Sequence, residues 1–167
     1  SMTKLLAVVQ CDYPMIRIMP NTPVLLGKGM IQYCHQNVNN TQLSTWLKAM
    51  ALCGVLDEVS EKDMDAASSV SGCGPAFVYA FIEALADGGV ACGLPRQKAM
   101  TYAAQMVFGS ASMVLETGKH PGQLKDEVCS PGGSTIQGVR TLEEHGFRGA
   151  VMASVIAAYE KSRDLGK

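Results

Sequence analysis

Along the first sixty residues, apolar positions come in short runs at residues 5–9, 15–19, 31–34 and 55–59, separated by Pro, Gly and Asn turns. Each run has the length of a strand, and only residues 41–53 in this stretch carry a helical period. Such alternation predicts the closing part of an α/β domain and is too short for a complete one. Ser1-Met2 reads as an appended pair outside the fold.

From Glu61 onward the strand signal disappears. The punctuation becomes helical, with glycine stops followed closely by proline starts at Gly93-Leu94-Pro95 and Gly118-Lys119-His120-Pro121. Ala99, Ala103, Met106, Ser110, Met113 and Thr117 recur at helical spacing, and Gly146 separates a helix over 135–145 from a last one over 147–164. The chain is therefore expected to be mainly α, with an incomplete α/β part over residues 1–60 and an all-helical domain of five or six helices over 61–167.

Two helical segments are apolar almost all round: residues 76–86, interrupted by Glu83 alone, and residues 149–159, which carry no charge. A surface helix needs a polar face, so both require cover on several sides. A helical part of about a hundred residues has trouble providing that cover alone. A second copy of the chain is the expected partner.

Composition narrows the function. A net charge of −1 over 167 residues offers no basic stripe for nucleic acid, and no apolar run approaches the ~20 residues that span a bilayer. The six cysteines form no C-x-x-C pair and lack a histidine at metal-ligand spacing, which points to free thiols in a reducing compartment and to no metal site. The chain reads as soluble and cytoplasmic. Cys129 could serve as a reactive thiol, but no motif supplies a base for it, and a structural role is expected.

The densest chemical signal is Ser130-Pro131-Gly132-Gly133-Ser134-Thr135. Ser130 can cap a helix and Pro131 fits its first position, leaving the N–H groups of Gly132, Gly133, Ser134 and Thr135 at the positive end of the helix dipole. That is a seat for a small anion. Interior glycines each cost roughly 0.5–1 kcal/mol relative to alanine, so two together suggest close approach of a ligand rather than a merely well-capped helix. Ser134 stands where a Walker loop would have lysine, so a carboxylate suits the seat as well as a phosphate.

Other motifs are more ambiguous. Met19-Pro20-Asn21-Thr22-Pro23 directly follows an apolar strand, where open α/β sheets bind ligands, although an ordinary proline turn has the same composition. Glu83, in its apolar run, is either a catalytic acid raised by burial or, as preferred here, a paired structural carboxylate. Gly72 and Gly74 begin a Gly-x-Gly, but Phe77 occupies the third glycine position, which rules out a dinucleotide fingerprint.

Together, Met19-Pro20-Asn21-Thr22-Pro23, Ser71-Gly72-Cys73-Gly74-Pro75-Ala76, the run from Glu83 to Gly89, His120-Pro121-Gly122-Gln123-Leu124-Lys125-Asp126 and Ser130 to Thr135 closely resemble pyrroline-5-carboxylate reductases, from about Met15 to the end. The resemblance implies an all-helical dimerisation domain of the 6-phosphogluconate dehydrogenase C-terminal type, preceded by a truncated Rossmann remnant. It also implies NADPH- or NADH-dependent reduction of 1-pyrroline-5-carboxylate to L-proline, the last step of proline biosynthesis, by a homodimer or larger homo-oligomer. Carried over onto this sequence, Ser130, Gly132, Gly133, Ser134 and Thr135 bind substrate, Thr135 is the candidate proton donor to the imine nitrogen, and Met19, Pro20, Asn21 and Thr22 face the nicotinamide.

Two departures accompany the resemblance: there is no Gly-x-Gly-x-x-Gly segment, and cysteines stand at 73 and 129 where a hydroxyl or another small residue is common. Without that segment the pyrophosphate lacks a cradle, and this chain alone is expected to be inactive. A non-catalytic dimerisation module is the alternative reading. A hydroxyacid-type dehydrogenase would use a substrate-domain lysine, for which no motif appears.

Overall fold

A computed structural model describes residues 2–165. The described residues divide into two compact units, one formed by residues 2–75 and 153–165 and the other by residues 76–152. Ser1, Gly166 and Lys167 lie outside the described residues, and with them part of the expected appended pair and the last two positions of the expected helical domain.

The first unit holds a three-stranded sheet in the order β1 (Met15–Met19), β2 (Gly29–Gln36), β3 (Gly54–Glu58). β1 runs antiparallel to β2, with Met19 opposite Gln32, and β2 runs parallel to β3, with Gly29 opposite Gly54. The last pair is tight. Gly54 has φ +135°, and a Cβ there would stand 2.1 Å from the Gly29 carbonyl oxygen, so only glycine permits the two backbones to pair.

Three of the expected strand runs are strands, but residues 5–9 belong to helix α1 (Met2–Val9). A run of Leu, Ala and Val is ambiguous by periodicity, and helix propensity together with one tertiary bond decides it. The Met2 N–H donates to Glu61 Oε1 at 2.7 Å, setting a carboxylate on the helix start. Met2 itself is buried against Cys34 and Met64, so it belongs to the fold rather than outside it. Arg17 of β1 pairs with Glu61 at 3.2 Å and Asp65 at 3.5 Å, fastening the sheet to the helical segment that follows.

α2 (Asn40–Met50) starts on a capping box: Gln42 N–H donates to Asn39 Oδ1, and Asn39 N–H donates to Gln42 Oε1. Its Trp46 packs on Tyr33 of β2 with ring centroids 4.9 Å apart. After a 3-10 turn at Glu61–Asp63 come α3 (Met64–Ser71), α4 (Gly74–Ala91), α5 (Arg96–Thr117), α6 (Pro121–Glu127), α7 (Ser134–Glu144) and α8 (Phe147–Leu165). Among the described residues six α-helices thus follow Glu61, with the glycine and proline punctuation at the expected joints.

In the second unit Ala86 of α4 packs against Ala99 and Ala103 of α5, the small side chains letting the two helices approach closely. Phe81 and Phe147 meet with centroids 5.7 Å apart, joining α4 to the start of α8. Several large apolar side chains here are uncovered: Tyr79 of α4, Phe108 of α5 and Met152 of α8 are each more than half exposed, as is Ile156 farther along α8, in the first unit.

The helical stretch Glu61–Ala91 includes an 18-residue window of mean hydropathy 1.3, apolar and long enough by composition to cross a membrane. This corrects the sequence reading that no apolar run approaches that length, because polar residues within the stretch break the run without lowering its mean hydropathy far. Glu83 lies on this stretch and is exposed in the single chain, which removes the burial on which both readings of that residue rested.

Candidate carboxylate seat

Residues 130–135 fold into a turn and then a helix, in a different register from the one the sequence suggested. Gly133 N–H donates to the Ser130 carbonyl at 3.0 Å, closing a four-residue turn with Pro131 second and Gly132 third. Gly132 takes φ +70°. Proline second and a left-handed glycine third is the pattern of a type II turn, and it forestalls a helix starting at Pro131. α7 begins instead at Ser134, with Gly133 as its N-cap and no side-chain cap.

The free donors shift accordingly. Gly133 N–H is spent inside the turn, so the N–H groups without a carbonyl four residues back are those of Ser134, Thr135 and Ile136. They sit at the positive end of an eleven-residue helix whose first turn carries no acid. Ser134 and Thr135 are exposed and add two hydroxyls. The arrangement can hold a carboxylate by backbone donors with a hydroxyl beside it.

Gly133 gives the turn its closeness. A Cβ there would meet Ser130 Oγ at 2.4 Å and the Ser130 carbonyl at 3.2 Å, whereas at Gly132 it would meet nothing within 4 Å. The two glycines therefore do different work, Gly132 by its dihedral and Gly133 by its lack of volume.

The preceding helix, α6, is also capped in a way the sequence did not reveal. His120 Nδ1 accepts from Gly122 N–H at 3.0 Å, so this histidine is a helix cap rather than a base for Cys129. Hydrogen bonding from Lys119 lowers the Glu127 carboxyl below its ordinary value, and Asp126 raises the Lys125 ammonium. Both pairs are exposed and shape the surface leading to the turn.

Met19, Pro20, Asn21 and Thr22 belong to the first unit, Ser130 to Thr135 to the second, and each set is a separate local arrangement. Met19 ends β1, Pro20 is exposed, Asn21 precedes a short 3-10 helix and Thr22 begins it. The Asn21 side chain is committed within the protein: Nδ2 donates to the Ser71 carbonyl and Oδ1 accepts from Met30 N–H, both at 3.0 Å. Ser71 and the buried Gln32 were not among the sequence candidates. Gln32, between the apolar Ile31 and Tyr33 in β2, was the available signal.

A family model described as pyrroline-5-carboxylate reductase dimerisation matches residues 61–165, which includes the whole of the turn and α7. The chain belongs to the pyrroline-5-carboxylate reductase family. Proteins named pyrroline-5-carboxylate reductase are 49% identical to it over 93% of the chain in Synechocystis and 47% identical over 93% of the chain in Escherichia coli. The chain covers 59% and 58% of those two reductases, little more than half of their length.

A crystal structure of the Plasmodium falciparum pyrroline carboxylate reductase with NADP bound superposes with a TM-score of 0.92 at 42% identity, covering 99% of this chain and 67% of that one. The family's fold is thus the fold described here, a helical domain preceded by a small sheet.

Proposed function

We propose that this chain is the dimerising and substrate-binding part of a pyrroline-5-carboxylate reductase, acting with NADPH or NADH to reduce 1-pyrroline-5-carboxylate to L-proline. The single observation that carries the reading is the glycine turn opening α7. It offers three backbone donors and two hydroxyls within the segment that matches the family model.

In this reading the substrate carboxylate lies on the N–H groups of Ser134, Thr135 and Ile136, against the close-packed turn of Ser130, Gly132 and Gly133. The cyclic C=N carbon accepts hydride most readily when its nitrogen is protonated, so the residues have to orient the ring and supply a proton rather than furnish a strong base. The Thr135 hydroxyl is the candidate for holding or relaying that proton.

A nicotinamide cofactor supplies the hydride when bound. Residues 19–22 fit its nicotinamide end, since β1 terminates there and Pro20 is exposed, whereas no Gly-x-Gly-x-x-Gly segment in the sequence cradles its pyrophosphate. Domain limits at about residue 60 remain part of the proposal, as does a homodimer built on the exposed faces of α4, α5 and α8. Six free cysteines suit a reducing compartment such as the cytoplasm.

The test is kinetic. The chain alone should not oxidise NADPH with pyrroline-5-carboxylate, and joining it to the amino-terminal part of the Synechocystis relative should create turnover. In the joined enzyme Thr135→Ala should lower kcat and kcat/KM together. A raised KM at unchanged kcat would assign Thr135 to carboxylate binding, and no turnover in the joined enzyme would refute the reading.

A further inference from the structure

Four segments of the first unit converge on one turn. Met19 closes β1 and stands opposite Gln32 of β2. Gln32 is 4% exposed, and its Oε1 accepts from Ser71 Oγ at 2.8 Å, a proton shared with the Ala67 carbonyl at 3.1 Å. The Ser71 carbonyl, at the end of α3, accepts from Asn21 Nδ2, and Asn21 Oδ1 accepts from Met30 N–H near the start of β2. The bonds form a circuit around Pro20.

Asn21 occupies an N-cap position yet makes no local cap bond. An asparagine at such a place ordinarily caps its own helix, so its side chain here forgoes a local bond for two others, one of them fifty residues away. Both polar ends of the amide are used. One N–H and one lone pair are left over, on an amide whose orientation the fold has already set.

We infer that Asn21, Ser71 and Gln32 are positioning residues that fix the Met19–Pro20 turn, and that Asn21 acts on the reduction only through that turn, not as a cofactor ligand. The inference rests on reading residues 19–22 as the nicotinamide-facing loop, while the circuit itself does not. Hydride transfer is sensitive to misplacement on the order of 1 Å, so loosening the turn lowers the rate without removing a binding contact.

Two measurements test it. In the 167-residue chain, hydrogen exchange should show Met30 N–H losing at least about tenfold of its protection in Asn21→Ala and keeping it in Asn21→Asp, which retains the acceptor. Unchanged protection in Asn21→Ala would overturn the circuit. In the joined enzyme, Asn21→Asp sets an oxygen against the Ser71 carbonyl and Gln32→Met removes the acceptor of Ser71 Oγ. Each should lower kcat by about tenfold or more while the NADP Kd moves less than about twofold.

A Kd raised about tenfold at unchanged kcat would make Asn21 a ligand and overturn the inference. An inactive unsubstituted joined enzyme would refute the loop's assignment, and the inferred effect on reduction with it. The exchange result would then stand separately as a statement about the circuit.

Discussion

Ser130 and Gly133 are locked together from both sides: the Gly133 N–H donates to the Ser130 carbonyl at 3.0 Å, and the Ser130 hydroxyl fills the place a Cβ on Gly133 would need. A Cβ at Gly133 therefore requires the Ser130 hydroxyl to leave its place. Gly133→Ala should cost on the order of 1 kcal/mol by overpacking, and most of that should return in the double variant Ser130→Ala/Gly133→Ala. Denaturant unfolding of the four proteins checks it. Additive effects would mean the two side chains do not compete for the same space.

The uncovered apolar side chains on α8 lead to a second prediction. Met152 and Ile156 are 60% and 56% exposed, on a helix with no buried residue. Burying such side chains contributes roughly 1.5–3 kcal/mol each, so a self-associating chain gains most of its interface energy from a few of them. Met152→Lys/Ile156→Lys should convert a homodimer to monomer in light scattering on dilute protein. A monomeric parent chain would contradict the proposed assembly directly.

Much of this arrangement was legible in the sequence because it depends on local chemistry. Glycine and proline fix where α5, α6 and α8 begin, and alternating apolar runs give β1, β2 and β3. What escaped depended on partners distant along the chain. Residues 5–9 look like a strand until Glu61 accepts from Met2 and Met2 packs on Cys34 and Met64. Ser130-Pro131-Gly132-Gly133 reads equally well as a capped helix or as a turn, and the left-handed φ of Gly132 decides for the turn, leaving Ser134, Thr135 and Ile136 as the free donors in place of residues 132–135. The bonds of Asn21 to Ser71 and Met30 have no local signature in the sequence.

Alkaline pH should expose the packing of Tyr33 on the sheet. Burial, followed by the Glu58 carboxylate that accepts its hydroxyl proton at 3.3 Å, raises the Tyr33 phenol above its ordinary value of 10.0. A value raised in the folded state means that the neutral phenol is favoured there. Its stabilisation is full below the unfolded value and is lost as pH rises through the folded one. Tyr33→Phe should remove this part of the alkaline decline, measured as unfolding midpoints from about pH 9 to about pH 12. Glu58→Gln should remove less, because burial is the larger cause.

An amide-resolved NMR titration of the chain with L-proline probes the seat on α7 itself. Shifts should concentrate at the N–H groups of Ser134, Thr135 and Ile136 and should be lost in Gly133→Val, whose branched side chain blocks the turn while the dimer stays intact. Shifts centred elsewhere, or an undiminished response in Gly133→Val, would contradict the seat's assignment.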